Sequence, residues 1–161
     1  DIVDAQLGSL CITAVTMFAI MTLLWRSFRL GILALATGLG PVAVLALVGA
    51  IFQVPLNSVT VMVGALALGI GIDDAVHLIT HWLNTKRNGS SENEALAIAL
   101  EAKGPAILCT SFILVSFSLS LLWMSFPPVT HFGWLSAVAY ASALGAALWA
   151  LPSLLGSKKK P

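Results

Sequence analysis

Long apolar runs separated by short polar breaks dominate the sequence. Asp, Glu, Lys and Arg are absent from residues 5–25, 30–72 and 104–157. A helix needs roughly 20 apolar residues to cross a hydrocarbon core about 30 Å thick. The two longer runs each contain a polar break with proline, at residues 53–58 and 125–130, and each therefore divides into two spans. The pattern predicts five transmembrane helices, at residues 7–25, 30–52, 58–79, 105–124 and 132–151.

These spans predict an all-α membrane protein in which residues 1–161 form a single transmembrane domain. Helices are expected because lipid offers no hydrogen-bond partner to unpaired backbone groups. The composition agrees, since 58% of the residues are apolar and 9% are charged, whereas a soluble domain has about 45–50% and about 25%. A soluble enzyme is therefore excluded. The net charge of +1, with no basic stripe, also excludes a nucleic-acid-binding protein.

The basic residues predict how the spans are oriented. All of them lie on one side of the five predicted spans. They are Arg26, Arg29, Lys86, Arg87, Lys103, Lys158, Lys159 and Lys160. The positive-inside rule makes that side cytoplasmic, which places the N-terminus outside and the C-terminus in the cytoplasm. Because the chain begins at Asp1 on the outside, we expect it to be a fragment of a larger protein, entered from an external domain.

Residues 84–103 form the one long polar stretch and are predicted to be a cytoplasmic link. The Asn-Gly-Ser-Ser sequence that ends at Ser91 is typical of a turn. Ser91 and Glu94 have the spacing of a capping box, so a helix is expected to begin there. Leu96 and Leu100 lie on one face of that helix, which predicts a short amphipathic helix at the cytoplasmic interface. A plain connector is the alternative.

The third span contains two adjacent acids, Asp73 and Asp74, in a glycine-rich run. Counted from Ser58 at ~1.5 Å per residue, they lie ~23 Å along the helix, within the inner half of the bilayer. One Asp at a helix centre costs about 2.5–3.5 kcal/mol, and two adjacent acids also repel each other. Such a cost is usually tolerated for function. We expect the pair to face the bundle interior or a water-filled cavity, where one member can gain and lose a proton.

Two histidines share a helical stripe with the first of these acids. Asp73, His77 and His81 are spaced four residues apart. His77 is a candidate for extending a proton path, with a packed interfacial histidine as the other interpretation, which is favoured for His81. A metal site built from these three residues lacks a further ligand in the membrane. An intramembrane aspartyl protease would need a second Asp on another span, and no other predicted span contains an acidic residue. The sequence therefore predicts no metal and no cofactor.

Small residues in the third and fifth spans predict close helix packing. Lipid supplies no hydrophobic drive between helices, so small side chains allow backbones to approach. The predicted packing or hinge positions are Gly64, Gly69 and Gly71 in the third span, and Gly133, Ala137, Ala141 and Gly145 in the fifth.

Two motifs resemble the resistance–nodulation–division (RND) superfamily of transporters. They are the run GIGIDDAVHLITHW and the turn formed by FPP at residues 126–128 and FG at residues 132–133. The similarity covers residues 7–155 or so and is strongest to a predicted-exporter branch, related to the large mycobacterial membrane proteins (MMPL), hopanoid transporters and Patched-like proteins. The resemblance implies that this chain is the five-span block of one half of a transporter, following a large extracytoplasmic domain.

By this resemblance, Asp73 and Asp74 are the proton-relay acids of an exporter of lipids or other hydrophobic substrates. The proton motive force is its energy source, and the bacterial inner membrane is its expected location. The expected partners are membrane lipid, the other half of the transporter with its extracytoplasmic domains and, in a homo-oligomer, further copies. No Lys lies within a predicted span, which matches the acid-pair branches better than members that use an intramembrane Lys. The alternative is a lipid-binding regulatory module similar to sterol-sensing domains, which share the five-span pattern.

Overall fold

The computed structural model describes residues 2–55 and 57–156, and these residues form helices joined by short turns. The α-helices are α1 (Ile2–Trp25), α2 (Phe28–Ile51), α3 (Ser58–Arg87), α4 (Glu92–Ser120), α5 (Pro127–Gly145) and α6 (Leu151–Gly156). A 3₁₀ turn at Leu121–Trp123 follows α4, and a π-helical segment at Ala146–Ala150 joins α5 to α6. Within the described ranges there is no strand.

In the described part of the chain, five helical stretches are long and apolar enough to cross a membrane, which confirms the predicted number of spans and the all-helical class. Their bounds are Leu7–Trp25, Phe28–Ile51, Ser58–Arg87, Glu92–Trp123 and Pro127–Gly156. The third and fourth stretches extend well beyond the predicted spans, because α3 continues to Arg87 and α4 already begins at Glu92. The fifth begins earlier than predicted, with prolines in its first turn, where a missing backbone N–H costs nothing.

The turns after α1 and α2 are made without glycine. Arg26 and Gln53 adopt left-handed backbone conformations, with φ of 49° and 52°. The N–H of Ser27 donates to the carbonyl of Thr22 at 3.3 Å, and the N–H of Val54 makes the equivalent bond at 2.9 Å. This closure is typical of helix C-termini and leaves few carbonyls without a partner. The two helices therefore end sharply, and the chain reverses within a few residues.

The capping box predicted for the polar stretch is confirmed. Ser91 Oγ accepts a hydrogen bond from the Glu94 N–H at 3.3 Å, and the Glu94 carboxylate accepts one from the Ser91 N–H at 3.4 Å. These reciprocal bonds satisfy backbone donors that the first turn of a helix leaves unpaired. The helix start was therefore correctly located at Glu92.

The predicted short amphipathic helix is not a separate element. From Glu92 the chain stays helical through Pro105 to Ser120, so the polar turns are the first part of α4. The residues before Gly104 are mostly good helix formers. The Gly104-Pro105 pair that follows usually marks a break, yet the helix continues through it. One consequence concerns Lys103, which was assigned to the link. Lys103 lies in the same helix as the fourth span.

Among the residues that the structure describes, two apolar clusters form the core, one toward each end of the bundle. We call the end where α2 gives way to α3 the Pro55 end, and the end where α3 gives way to α4 the Arg87 end. The cluster toward the Pro55 end contains Leu45, Val63, Ala67, Leu135 and Ala139. The cluster toward the Arg87 end contains Trp25, Leu30, Leu33, Ala34, Ala75, Leu78, Ile79, Trp82, Ala95, Ala99, Leu151 and Leu155. Much of the remaining surface is apolar and exposed, as a membrane-embedded bundle requires.

Polar contacts hold the Arg87 end together. The Trp25 indole N–H donates to Thr80 Oγ1 at 3.3 Å, which ties the end of α1 to α3. The Arg29 guanidinium donates to the carbonyl of Leu154 at 3.4 Å, which ties the start of α2 to α6. The basic residues that flank these helix ends therefore share one end of the bundle. Lys158–Lys160 lie outside the described residues, and the side of the membrane occupied by this end stays a prediction.

Candidate functional site

The two acids of α3 point in different directions. Asp73 has 72% of its side chain exposed, and its Oδ1 lies 3.6 Å from Nε2 of His77, which is 60% exposed. Asp74 is only 6% exposed. Its Oδ2 is fully buried, with no hydrogen-bond partner among the residues that the structure describes. The pair therefore comprises one carboxyl group open to its surroundings and one enclosed by the bundle.

Helical periodicity explains why Asp74 is buried. It lies seven residues after Ala67 and four before Leu78, and both of these apolar residues are fully buried. Ala67 belongs to the cluster at the Pro55 end, and Leu78 to the cluster at the Arg87 end. Asp74 is therefore a polar interruption between two apolar clusters. A buried polar atom without a partner costs roughly 1–3 kcal/mol, and more if it is charged.

A cavity of about 200 Å³ lies between α3 and α4, and both acids contribute to its lining. Its lining from α3 is Asp73, Asp74 and His77, and from α4 it is Lys103, Ala106, Ile107 and Thr110. We call it the acid cavity. It supplies two carboxyl groups, an imidazole, an ammonium and a hydroxyl, groups that can bind water and exchange protons.

A second cavity continues along the same pair of helices toward the Arg87 end. It measures about 240 Å³ and is lined by Val76, His77, Thr80, His81, Asn84 and Lys103. His77 and Lys103 line both cavities, so the two form one polar groove between α3 and α4. His81 thus lies further along this groove, beyond the acids. The predicted stripe of Asp73, His77 and His81 follows its length.

The predicted packing residue Gly71 lies where α2 and α3 cross. A Cβ built on Gly71 would lie 2.9 Å from Cα of Gly38 and 3.0 Å from the carbonyl oxygen of Thr37. A Cβ built on Gly38 would lie 2.9 Å from the carbonyl oxygen of Leu68. Backbone atoms cannot rotate away as a side chain can, so each helix needs glycine at this crossing. The crossing lies one turn from Asp74.

The other predicted packing residues differ in their surroundings. A Cβ on Gly133 would lie 2.7 Å from the Ser118 carbonyl oxygen, so α5 approaches α4 closely there. Ala137 is buried, whereas Ala141 is exposed. Among the described atoms, none lies within 4 Å of a Cβ built on three other positions. These are Gly64, Gly69 and Gly145.

A separate apolar cavity of about 320 Å³ lies toward the Pro55 end, between α1, α2, α3 and α5. Its lining includes Leu10, Leu45, Gly64 and Leu135, with Thr60 as a polar side chain. Its volume falls within the range of roughly 300–1,000 Å³ that is usual for small-molecule sites. An apolar lining of this kind suits a hydrophobic ligand, and the cavity is referred to below as the apolar cavity.

The sequence analysis did not identify two residues of this region, Lys103 in the acid cavity and Gly38 at the crossing of α2 and α3. Lys103 was assigned to a cytoplasmic link because the polar stretch suggested a break before the fourth span. Gly38 was not singled out because it lies in a uniformly apolar span, and only the tertiary contact with α3 reveals why it is needed. The capping box at Ser91 gave a signal for Lys103, because a helix that starts at Glu92 without a stop carries residue 103 into the bundle.

Comparison with known proteins identifies the relatives of this fold and site. A Methanocaldococcus jannaschii protein, whose assigned name says only that it is inferred to be a membrane protein, is 28% identical over 105 residues. The aligned part is 65% of this chain and 27% of that protein, so the match spans about a quarter of the relative's length. The family model of the MMPL family matches residues 3–158, which is nearly the whole sequence. This chain is an integral, multi-pass membrane protein domain and belongs to the MMPL family.

Proposed function

We propose that this chain is the transmembrane half-bundle of a proton-driven RND-type exporter of lipids or other hydrophobic substrates. The observation that carries the proposal is the buried Asp74 beside the exposed Asp73, at the acid cavity. Among the described residues, Oδ2 of Asp74 has no hydrogen-bond partner. An unpaired carboxylate is costly to keep buried, whereas the neutral acid avoids the cost of a buried charge. Adding or removing one proton therefore changes the energy of the buried face of α3.

Each residue of the relay has its own role in this mechanism. Asp73 exchanges protons with water in the acid cavity, because most of its side chain is accessible. Asp74 holds a proton on the buried side, one turn from the tight crossing of α2 and α3. His77, next to Asp73, extends the path along the polar groove. The glycines of α3 permit the packing shift that couples protonation to the rest of the transporter.

The full transporter comprises more than this chain. We place the N-terminus outside, the Arg87 end in the cytoplasm and the protein in the bacterial inner membrane, with the proton motive force as energy source. The other half of the transporter and the extracytoplasmic domains are its partners, together with membrane lipid and, in a homo-oligomer, further copies. The exposed face that bears Asp73 and His77 is available to the second half.

A paired neutral substitution in the full-length protein tests the relay. We expect Asp73→Asn combined with Asp74→Asn to abolish export of a fluorescent lipid analogue driven by an imposed pH gradient in proteoliposomes. Amide groups keep the size of the acids but cannot take up and release the transported proton. Export that continues at the wild-type rate, with normal expression and insertion, would overturn the relay. Lys86→Met serves as a control, since Lys86 lines neither part of the groove and pairs with Glu92.

The second candidate function is a sterol-sensing-like regulatory module that binds lipid without transport, and the apolar cavity favours it. A Cβ built on Gly64, in the cavity lining, has open space around it. Gly64→Leu should therefore take up part of the cavity and reduce labelling by a photoreactive cholesterol analogue, whereas Gly69→Leu should not. Lipid-dependent regulation that survives the double Asn substitution, without any proton-linked flux, would favour the module over the exporter.

A further inference from the structure

Four buried hydroxyl side chains follow the contact between α4 and α5, and we call them the hydroxyl seam. They are Ser111 and Ser118 of α4 and Ser136 and Tyr140 of α5. A Cβ built on Gly133 would lie 2.7 Å from the carbonyl oxygen of Ser118, so the two helices approach closely there. The helices are antiparallel, and two turns from this contact lead to Ser111 on α4 and to Tyr140 on α5. The seam therefore extends ~10 Å along the helices, with Ser136 between its ends.

Two hydroxyls of the seam lack a hydrogen bond. Among the residues that the structure describes, Oγ of Ser118 and Oγ of Ser136 are fully buried and have no partner. A serine within a helix can avoid this by donating to a carbonyl of its own helix. Ser120 of α4 and Ser142 of α5 do so, with oxygen–oxygen distances of 2.7 and 2.8 Å. The serines of the seam are therefore not explained by bonding within their own helices.

Water is the ligand that suits these groups. A buried polar atom without a partner commonly marks an ordered water molecule, which itself needs about two to four polar partners. The hydroxyl of Ser136 lies near the phenol of Tyr140, one turn further along α5, so a water molecule there has two polar neighbours. Each hydroxyl can both donate and accept a hydrogen bond. Hydroxyls and water molecules can therefore alternate along the seam, in a chain through which a proton can pass.

The seam extends from one end of the bundle to the neighbourhood of the acid pair. Ser118 lies in the last turn of α4, near the Pro55 end. Ser111 lies one turn from Ile107, which lines the acid cavity together with Asp74. The polar groove continues from the same cavity toward the opposite end of the bundle. The seam and the groove therefore approach the acid cavity from opposite ends.

We propose that the hydroxyl seam binds a chain of water molecules that conducts protons between the Pro55 end and Asp74. Each hydroxyl or water along the chain accepts one proton and gives up another, so the transferred proton comes to rest only on the carboxylate of Asp74. The four seam residues are positioning residues, because they hold the water in line. The proposal rests on the proposed function and adds the route by which protons reach the buried acid. The polar groove is the route between Asp73 and the Arg87 end.

X-ray radiolytic labelling of the full-length protein in lipid nanodiscs tests for the water. A short pulse ionises bound water, which oxidises the side chains beside it, and mass spectrometry locates the added oxygen. Tyr140 is buried, so its oxidation reports water inside the seam. We expect Ser118→Ala combined with Ser136→Ala to reduce this oxidation at least about threefold, because the water loses two partners. Ser120→Ala combined with Ser142→Ala is the matched control on the same helices and should change nothing.

Carbodiimide labelling in sealed proteoliposomes of defined orientation tests the route. A hydrophobic carbodiimide adds to a protonated carboxyl group, and peptide mass spectrometry measures the adduct on Asp74 after one side of the membrane is rapidly acidified. In the wild type, acidifying the Pro55 side should increase this labelling. The double seam variant and Tyr140→Phe should slow that increase at least about tenfold, since a hydroxyl that relays the proton is missing. Acidifying the Arg87 side should label Asp74 as in the wild type, which shows that the acid pair is intact.

Three results would overturn the proposal. The first is that Tyr140 is not oxidised in the wild type, or is oxidised equally in the double seam variant. The second is that labelling from the Pro55 side is as fast in the seam variants as in the wild type. The third is that Tyr140→Phe and the double seam variant lose labelling from both sides, which would mean that these hydroxyls serve only to pack α4 against α5. Export unaffected by the double Asn substitution would instead remove the proposed function, while a water-filled seam that leads to Asp74 would stand.

Discussion

The two faces of α3 carry the same residue types in different surroundings. One face presents Gly69 and Asp73 to the outside of the bundle, and the other presents Gly71 and Asp74 to its interior. Gly71 touches the backbone of α2, whereas a Cβ on Gly69 would find no described atom within 4 Å. Asp73 is largely exposed, and Asp74 is almost fully buried. Neighbouring identical residues therefore have different surroundings, according to the face of α3 on which they lie.

The largest expected contrast is between the two glycines. Gly71→Ala places a Cβ against backbone atoms of α2, so the helices must separate, at a cost of about 1–3 kcal/mol. Gly69→Ala meets open space and removes a weak helix former, which should stabilise α3 by up to about 1 kcal/mol. Thermal unfolding in detergent, followed by fluorescence-detected size exclusion, should move in opposite directions for the two variants. Equal shifts would show that the crossing at Gly38 is not tight.

Substitutions of the two acids should also affect stability differently on the two faces, but by a smaller amount than the glycine substitutions. Leu matches Asp in its number of side-chain heavy atoms, so the substitution mainly exchanges polar for apolar atoms. Asp74→Leu removes a buried oxygen that lacks a partner and should raise the free energy of unfolding by about 1–2 kcal/mol. Asp73→Leu should change it by less than about 0.5 kcal/mol, since surface substitutions seldom do more. A loss of stability in Asp74→Leu would mean that a partner outside the described residues satisfies this carboxyl group.

The sequence predicted which elements form but not which face of α3 is buried. Uncharged runs and proline breaks were sufficient for five spans, because length and hydropathy alone decide whether a helix can cross a membrane. The acid pair was visible because two charges in an apolar run are costly. Gly69 was predicted as a packing or hinge position, and within this bundle it lies on the exposed side of α3 with Asp73 and His77. A membrane-spanning helix such as α3 has apolar residues on every face, because lipid and protein neighbours are both apolar. The periodicity of its apolar residues therefore says little about which face is buried.

Lys103 shows a second limit of the sequence. Its position looked like part of a link, because polar residues usually mark the end of a span. The structure carries the helix straight through them, and the pairing of α3 with α4 then brings residue 103 to the acids. That pairing depends on the tertiary packing of the helices. A local pattern could locate the start of α4 at its capping box but could not predict which residues of other helices α4 packs against.

Removing a hydrogen bond on the inner side of α3 should change stability by the next smaller amount. Thr80 Oγ1 accepts from the indole of the buried Trp25 at 3.3 Å and ties α1 to α3. Thr80→Val keeps the shape but leaves the indole N–H without this acceptor, which should cost about 1 kcal/mol of stability. The same detergent unfolding assay measures it. Thr110→Val is the matched control and should cost less, because the Thr110 hydroxyl donates to carbonyls of its own helix.

The smallest effect is expected at the exposed face, for the pair of His77 with Asp73. Their closest atoms are 3.6 Å apart, and both side chains are more than half exposed. Exposed pairs at this helical spacing contribute about 0.3–0.5 kcal/mol, because water and salt screen the attraction. His77→Gln should therefore leave the unfolding temperature almost unchanged while slowing proton-linked export, since glutamine cannot relay a proton. If His77→Gln instead destabilised the protein as strongly as Thr80→Val, the exposed face of α3 would be a packing surface, and the division of α3 into a structural and a proton-exchanging face would fail.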